Sequence, residues 1–189
     1  GLRDVVRNAR ASVLIGVSGV PGMFTEEMVR RMALHADHPI IMPLSNPTSH
    51  AEVTPSSAIE WTDGRAIVAT GSPFPDVEFA GRTYKVGQAN NVFVFPGLGL
   101  GVLAVGAREV TDRMFLAASK ALAGTVGLDL VSAGQLYPSI SDVRSASLAV
   151  AKAVANQAIA DGDADPVPDI EQRIEEEMWF PEYLPYRAV

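Results

Sequence analysis

Pro39-Ile-Ile-Met-Pro-Leu-Ser-Asn-Pro-Thr48 is the stretch around which the chain is organised. Ile40 to Leu44 is a short apolar run bounded by proline, which suits a strand buried on both faces of a parallel sheet flanked by helices. In such sheets the ligand crevice lies beyond the carboxyl ends of the strands. Asn46 stands at that address, and its amide both donates and accepts hydrogen bonds. Pro47 fixes its own φ and pushes Asn46 toward extended backbone, so the side chain is aimed. Taken alone, the stretch is better read as an ordinary Asn-Pro turn that ends a strand.

Working outward strengthens the first reading. Upstream, Ala11 to Val17 is an apolar, β-branched run and a first strand, ending in the turn-rich loop Ser18-Gly19-Val20-Pro21-Gly22. Thr25 then offers an N-cap, Glu26 and Glu27 suit the helix dipole, and Met28, Val29, Met32, Ala33 and Ala36 recur at helical spacing. With the central stretch this makes a βαβ unit. Leu2 to Ala9 reads as the end of a helix, so Gly1 is expected to lie inside a larger domain.

Downstream, Thr54-Pro55 opens a short helix through Trp61, Thr62-Asp63-Gly64 turns the chain, and Arg65 to Thr70 is the next strand. Glu78 to Tyr84 is a small excursion or hairpin. Val92-Phe-Val-Phe95 reads as the last strand, turning at Pro96 into an apolar helix that reaches about Ala107. The rest is helical. Thr111-Asp112 caps a helix with Met114, Phe115, Ala118 and Leu122 on one face, and Ser141-Asp142 caps a longer one rich in alanine. The aromatic stretch Met178 to Tyr186 is expected to dock on the body or on a partner subunit. These elements predict an α/β fold with a mostly parallel sheet and C-terminal helices.

Composition narrows the function classes. The chain has 189 residues, 48% of them hydrophobic, enough for a substantial core. Of the net charge of −7, all is local: eight carboxylates and one arginine fall between Asp161 and Glu177. With no basic cluster, neither nucleic acid nor an anionic membrane is an expected partner. The best apolar run, Val92 to Ala107, is broken by Pro96 and glycines, so no membrane span and no signal peptide are read. The absence of cysteine excludes disulfides and thiolate metal sites and fits a cytoplasmic protein.

Gly99-x-Gly101-x-x-Ala104 resembles a dinucleotide fingerprint, but the following strand with its acidic end is missing, and the glycines are better read as letting a helix approach the sheet closely. His35-Ala-Asp-His38 lies before a strand's amino end and reads as a solvated pair, while His50 follows Asn46 closely and could line the crevice. No nucleophile elbow, Walker loop or strand-end carboxylate pair is present, so neither catalytic nor metal-ligating residues are assigned. What converges instead is a set of neutral groups: Ser18-Gly19, Ser45-Asn46, Thr70-Gly71-Ser72 and Asn90-Asn91. Such groups suit a polar ligand such as nicotinamide, ribose or a hydroxy-acid carboxylate.

At these residues the chain resembles the malic enzymes, the decarboxylating malate dehydrogenases. The matching blocks are Ile15-Gly-Val-Ser-Gly19 with Phe24-Thr-Glu26, and Pro43-Leu-Ser-Asn-Pro-Thr48 with Ala51-Glu52. They continue with Trp61-Thr-Asp-Gly-Arg65, Ala69-Thr-Gly-Ser-Pro-Phe74, Gly87 through Gly97, Arg108 through Phe115, and Trp179-Phe-Pro-Glu-Tyr183. Ala89 departs from the family's usual glycine before the paired asparagines.

The resemblance implies a partial Rossmann-type, doubly wound sheet over residues 1–125, with C-terminal helices and an aromatic tail over 126–189. It implies oxidation of malate with NAD or NADP and decarboxylation to pyruvate and CO2, assisted by Mg2+ or Mn2+ in a homo-oligomer. Carried over by motif, Asn46 and Asn91 would bind substrate, and Val17, Ser18, Gly19, Asn46 and Asn90 would contact the cofactor. The family's catalytic tyrosine and lysine, its acidic metal ligands and its glycine-rich loop are expected upstream of Gly1, leaving this chain inactive by itself. The alternative is a non-catalytic NAD(P)- or ligand-binding or regulatory module.

Overall fold

The computed structural model describes residues 1–181, which divide between two compact units. The first comprises Gly1–Asn91 with Ala123–Val143, and the second Val92–Leu122 with Arg144 onward.

In the first unit, helix α1 (Leu2–Ala9) leads into strand β1 (Val13–Gly16), helix α2 (Glu26–Ala33) and strand β2 (Ile40–Pro43). After a 3-10 turn at Thr48–His50 come helix α3 (Pro55–Trp61) and strand β3 (Ile67–Thr70). A hairpin of β4 (Val77–Phe79) and β5 (Arg82–Tyr84) precedes the short strand β6 (Gly87–Gln88). The sheet is wholly parallel in the order β1-β2-β3-β6, with Val13 opposite Ile40, Ile40 opposite Ile67 and Ala69 opposite Gly87. The expected α/β architecture and its first three strands are therefore present.

Periodicity explains these elements. Met28, Val29, Met32 and Ala33 form the buried face of α2, while Glu26, Glu27 and Arg30 are exposed. Met28, Val29 and Met32 meet Leu14, Ile41, Val53, Ile59 and Val68 in one core. Burying a side chain such as Ile41, fully inaccessible, stabilises the fold by about 1.5–3 kcal/mol. Thr54 caps α3 as its sequence demands, accepting from Ser57 N at 3.2 Å with Pro55 in the first turn. Thr25 stands at the N-cap of α2 with no side-chain cap bond. The hairpin alternative for Glu78–Tyr84 is the one adopted, with Ala80 and Gly81 both at positive φ, as a tight two-residue connection requires.

Among the described residues β1 is an edge strand of the sheet, β6 being the other. Leu14 and Gly16 face the core, whereas Val13 and Ile15 are 43% and 57% exposed.

One expected element is corrected. Val92–Phe95 is not the last strand: Asn91–Phe93 forms a 3-10 turn, and helix α4 (Phe95–Val105) begins at once. The fourth strand is instead Gly87–Gln88, paired with β3. A four-residue apolar run carries no period that separates strand from buried helix entry, and Pro96 is favoured in a first helical turn.

In the second unit, α4 is followed by α5 (Asp112–Gly124), which the division crosses at Leu122. The remaining helices of this unit are the long α7 (Val143–Asp161) and α8 (Ile170–Glu177), while α6 (Leu128–Ser132) belongs to the first unit. Gly97 and Gly101 lie against α7 so closely that a Cβ on either would stand 2.5 Å from the carbonyl of Ser147 or of Ala151. Of the two glycines expected to allow a close approach to the sheet, Gly101 is closely packed but against a helix, and Gly99 meets nothing within 4 Å. At the start of the aromatic tail, Arg144 donates to Trp179 O at 3.1 Å and its guanidinium lies 4.9 Å from the centre of the Phe180 ring. The rest of the tail, with Tyr183 and Tyr186, lies outside the described residues.

Candidate functional site

Because the four strands run the same way, their carboxyl ends open on one side. Hydrogen bonds continue the ladder past the strands: Leu44 N donates to Gly16 O at 2.8 Å, Gly71 N to Pro43 O at 3.2 Å, and Ala89 N to Thr70 O at 2.8 Å. Ser18-Gly19, Ser45-Asn46, Gly71-Ser72 and Asn90-Asn91 are thereby set side by side in the order of the strands they follow. Gly71 has a steric reason: a Cβ there would be driven into the carbonyl of Leu44.

The first two loops are fastened by Glu52, which is wholly inaccessible to solvent. Its Oε1 accepts from Ser18 N at 2.7 Å, Ser18 Oγ at 2.8 Å and Ser45 Oγ at 2.5 Å. Ser45 Oγ in turn accepts from Gly19 N at 2.9 Å. Burial alone raises the Glu52 pKa, but the hydrogen bonds from Ser45 and Ser18 outweigh it and hold the carboxyl below its ordinary value. The second and third loops are joined by a hydrogen bond from Ser72 Oγ to the carboxamide oxygen of Asn46, and Thr70 Oγ1 donates to Ser72 O at 2.8 Å. The peptide bond between Asn46 and Pro47 is cis.

Of the residues singled out from sequence, Val17, Ser18, Gly19, Asn46 and Asn91 are exposed, and Asn90 is half-buried. Ser18, Gly19 and Ser45 are brought together through Glu52, and Asn46 is brought to Ser72. Asn90 and Asn91 reach the same side although the strand assigned after them is absent, because they follow β6. His50 is exposed in the 3-10 turn, and His35 and His38 are exposed beside the amino end of β2. Glu52 was noted only as part of a matching block. Its signal was an acid held between Ala51 and Val53, a few residues after a strand-end asparagine, where a solvated loop would not need flanking apolar residues.

The site can hold a polar ligand through neutral donors and acceptors. At Gly19, φ is +68° and a Cβ would meet nothing within 4 Å, so the space beside this glycine is open. Among the described residues no three His, Asp or Glu side chains are grouped to hold a metal ion. No helix of the described residues is long and apolar enough to cross a membrane.

A parallel sheet with helices and hydrogen-bonding loops beyond its carboxyl ends defines a Rossmann-type nucleotide-binding domain. Residues 1–159 match the family model described as the malic enzyme NAD binding domain, and the chain belongs to the malic enzyme family. It is 53% identical over 188 residues to the NAD-dependent malic enzyme of Sodalis glossinidius, an alignment that takes in 98% of this chain and 33% of that protein. Among solved structures, the Entamoeba histolytica malic enzyme superposes with a TM-score of 0.74 at 28% identity, over 94% of this chain and 33% of that one. The Pyrococcus horikoshii malic enzyme gives a TM-score of 0.68 at 28% identity, over 94% and 36%. The chain spans about a third of the length of the curated relatives it matches.

Proposed function

We propose that the whole protein carrying this chain oxidises malate and decarboxylates it to pyruvate and CO2, with NAD as the hydride acceptor. The observation that supports this reading is the joined rim of Ser18-Gly19, Ser45-Asn46 and Ser72, in a chain so similar to NAD-dependent malic enzymes. The Val17-Ser18-Gly19 loop and Asn90 contact the cofactor, Asn46 stands between cofactor and substrate, and Asn91 binds the malate carboxylate. In the overall reaction the malate hydroxyl loses its proton, the carbon beneath it gives a hydride to the nicotinamide, the bond to the departing carboxylate breaks to release CO2 with its electron pair left on the adjoining carbon, and that carbon takes up a proton to complete the methyl group of pyruvate.

The proton acceptor and the Mg2+ or Mn2+ that polarises the substrate belong to parts of the whole protein other than this chain. The chain's own contribution is to bind and orient. NAD is preferred to NADP in this reading because the similar curated relatives are NAD-dependent. The protein is cytoplasmic and acts as a homo-oligomer, and the 189-residue chain by itself is inactive.

The test is an assay of the whole protein with malate, Mn2+ and either NAD or NADP, following reduced cofactor and pyruvate together. Equal amounts of both, with NAD favoured, are expected. Reduced cofactor without pyruvate would remove the decarboxylation step, and no reaction at all would favour a ligand-binding module.

A further inference from the structure

We infer that Glu52 is a positioning residue that clamps the Ser18-Gly19 and Ser45-Asn46 loops into one rim and so sets the crevice's affinity for its dinucleotide. This rests on the proposal that the Val17-Ser18-Gly19 loop contacts NAD.

The geometry carries it. Three donors from two separate loops converge on one carboxylate oxygen, and Ser45 N lies 3.5 Å from the other. Each serine hydroxyl has a single hydrogen, and both are spent on Glu52. Their lone pairs are left to accept main-chain N–H groups, Gly19 N on Ser45 Oγ and Val20 N, at 3.2 Å, on Ser18 Oγ. Direction therefore runs one way, from loop amide to hydroxyl to carboxylate, and only an acceptor at position 52 completes it. The main chain of Glu52 adds a further tie, its carbonyl accepting from Phe24 N at 3.1 Å. The loop between β1 and α2 is thus fastened at Ser18, at Gly19 through Ser45, and at Phe24.

The strand makes room for this. A Cβ on Gly16 would lie 2.6 Å from both Glu52 Cδ and the Phe24 ring, so glycine at the end of β1 is the space the carboxyl occupies. Among the described residues the hydrogen bonds to the Glu52 carboxylate all come from hydroxyl and amide groups. A buried carboxylate is a costly way to fill a core. What it provides here is a fixed distance between two crevice loops that share no strand pairing of their own beyond Leu44.

The experiment uses the whole protein, with Glu52→Ala, Glu52→Gln and Ser45→Ala. Equilibrium titration with NAD, the KM for NAD against kcat, and the thermal midpoint are measured for each. Glu52→Ala is expected to raise the NAD Kd about tenfold or more, with the KM following and kcat changing less, because three donors lose their acceptor. Glu52→Gln, whose amide oxygen accepts the same three bonds, should stay within about threefold of wild type. Ser45→Ala should fall between them, since it frees Gly19 but leaves Ser18 held. A folded Glu52→Ala protein with wild-type Kd overturns the inference, as does an equal loss in Glu52→Gln, which would make charge the operative property. If Glu52→Ala does not fold, a wild-type Kd in Ser45→Ala overturns it in the same way. A wild-type protein that binds no NAD defeats the functional proposal and this inference together, whereas failure in the variants alone defeats only the inference.

Discussion

The hydroxyl of Ser72, at the end of the third strand, donates a hydrogen bond to the carboxamide oxygen of Asn46, at the end of the second. Ser72 is buried and Asn46 is exposed, so the buried partner orients the exposed one. With its oxygen engaged, the amide group of Asn46 is left to donate, and a substrate carboxylate is a suitable acceptor. Ser72→Ala should therefore loosen Asn46 without unfolding the protein. A neutral hydrogen bond contributes about 0.5–1.5 kcal/mol, so the KM for malate should rise about two- to tenfold with the thermal midpoint nearly unchanged. An unchanged KM would show that Asn46 is oriented by something else.

Asn91→Ala should damage turnover more than folding. Asn91 is exposed at the head of the 3-10 turn that follows β6, away from the core of its unit. Losing a charge-assisted bond to substrate should cost about 1.5–3 kcal/mol, or about 10- to 150-fold in kcat/KM. Steady-state kinetics beside a denaturation curve separates the two effects, and wild-type kinetics would remove Asn91 from the site.

Within the second unit, glycines two residues apart should respond in opposite directions. Gly101→Ala places a methyl against the Ala151 carbonyl and should cost about 1–3 kcal/mol. Gly99→Ala meets nothing within 4 Å on the same helix and should stabilise by about 0.5–1 kcal/mol through backbone entropy. Urea titrations of the two variants check this, and a common sign would mean that α4 does not pack on α7 through Gly101.

The Glu52 carboxyl should make the fold acid-sensitive. Its folded pKa lies below the ordinary value of 4.5, since the Ser45 and Ser18 hydrogen bonds outweigh the effect of burial. A depressed folded pKa contributes stability that is present above about pH 4.5 and is lost as pH falls through the lower folded value. Glu52→Gln does not titrate, so the stability difference between wild type and variant should be flat above about pH 5 and shift against wild type below it. A difference that stays level down to about pH 3 would mean the carboxyl is not depressed.

The edge of the sheet should govern the behaviour of the 189-residue chain expressed alone. Val13, Ile15 and Val17 are exposed along β1 and the residue after it, and among the described residues β1 pairs on one side only, with β2. Edges of this kind pair with other chains, so size-exclusion chromatography should show self-association that grows with concentration. Ile15→Lys should reduce it, and a monomer with or without the substitution would contradict the expectation.

Sequence by itself determined the parallel sheet and most of its contents. β1, β2, β3 and α2 each carry a local pattern, β-branched runs or helical spacing, that needs no distant partner to be read. The Asn46 address follows from β2 because a strand end is a local event, and the neutral strand-end groups were visible for the same reason. Tertiary structure decided the rest. Val92–Phe95 has too few residues to express a period, so its fate as turn and helix entry was set by what it packs against, with Phe93 fully buried. The two-residue strand β6 exists only because β3 supplies its pairing. Gly101 announced close packing, but a helix some 50 residues further on chose the neighbour, and Gly99 packs against nothing. Glu52 looked like an ordinary polar residue because its donors lie 34 and 7 residues away. A buried carboxylate is defined by the groups that surround it, and only the folded chain brings those groups together.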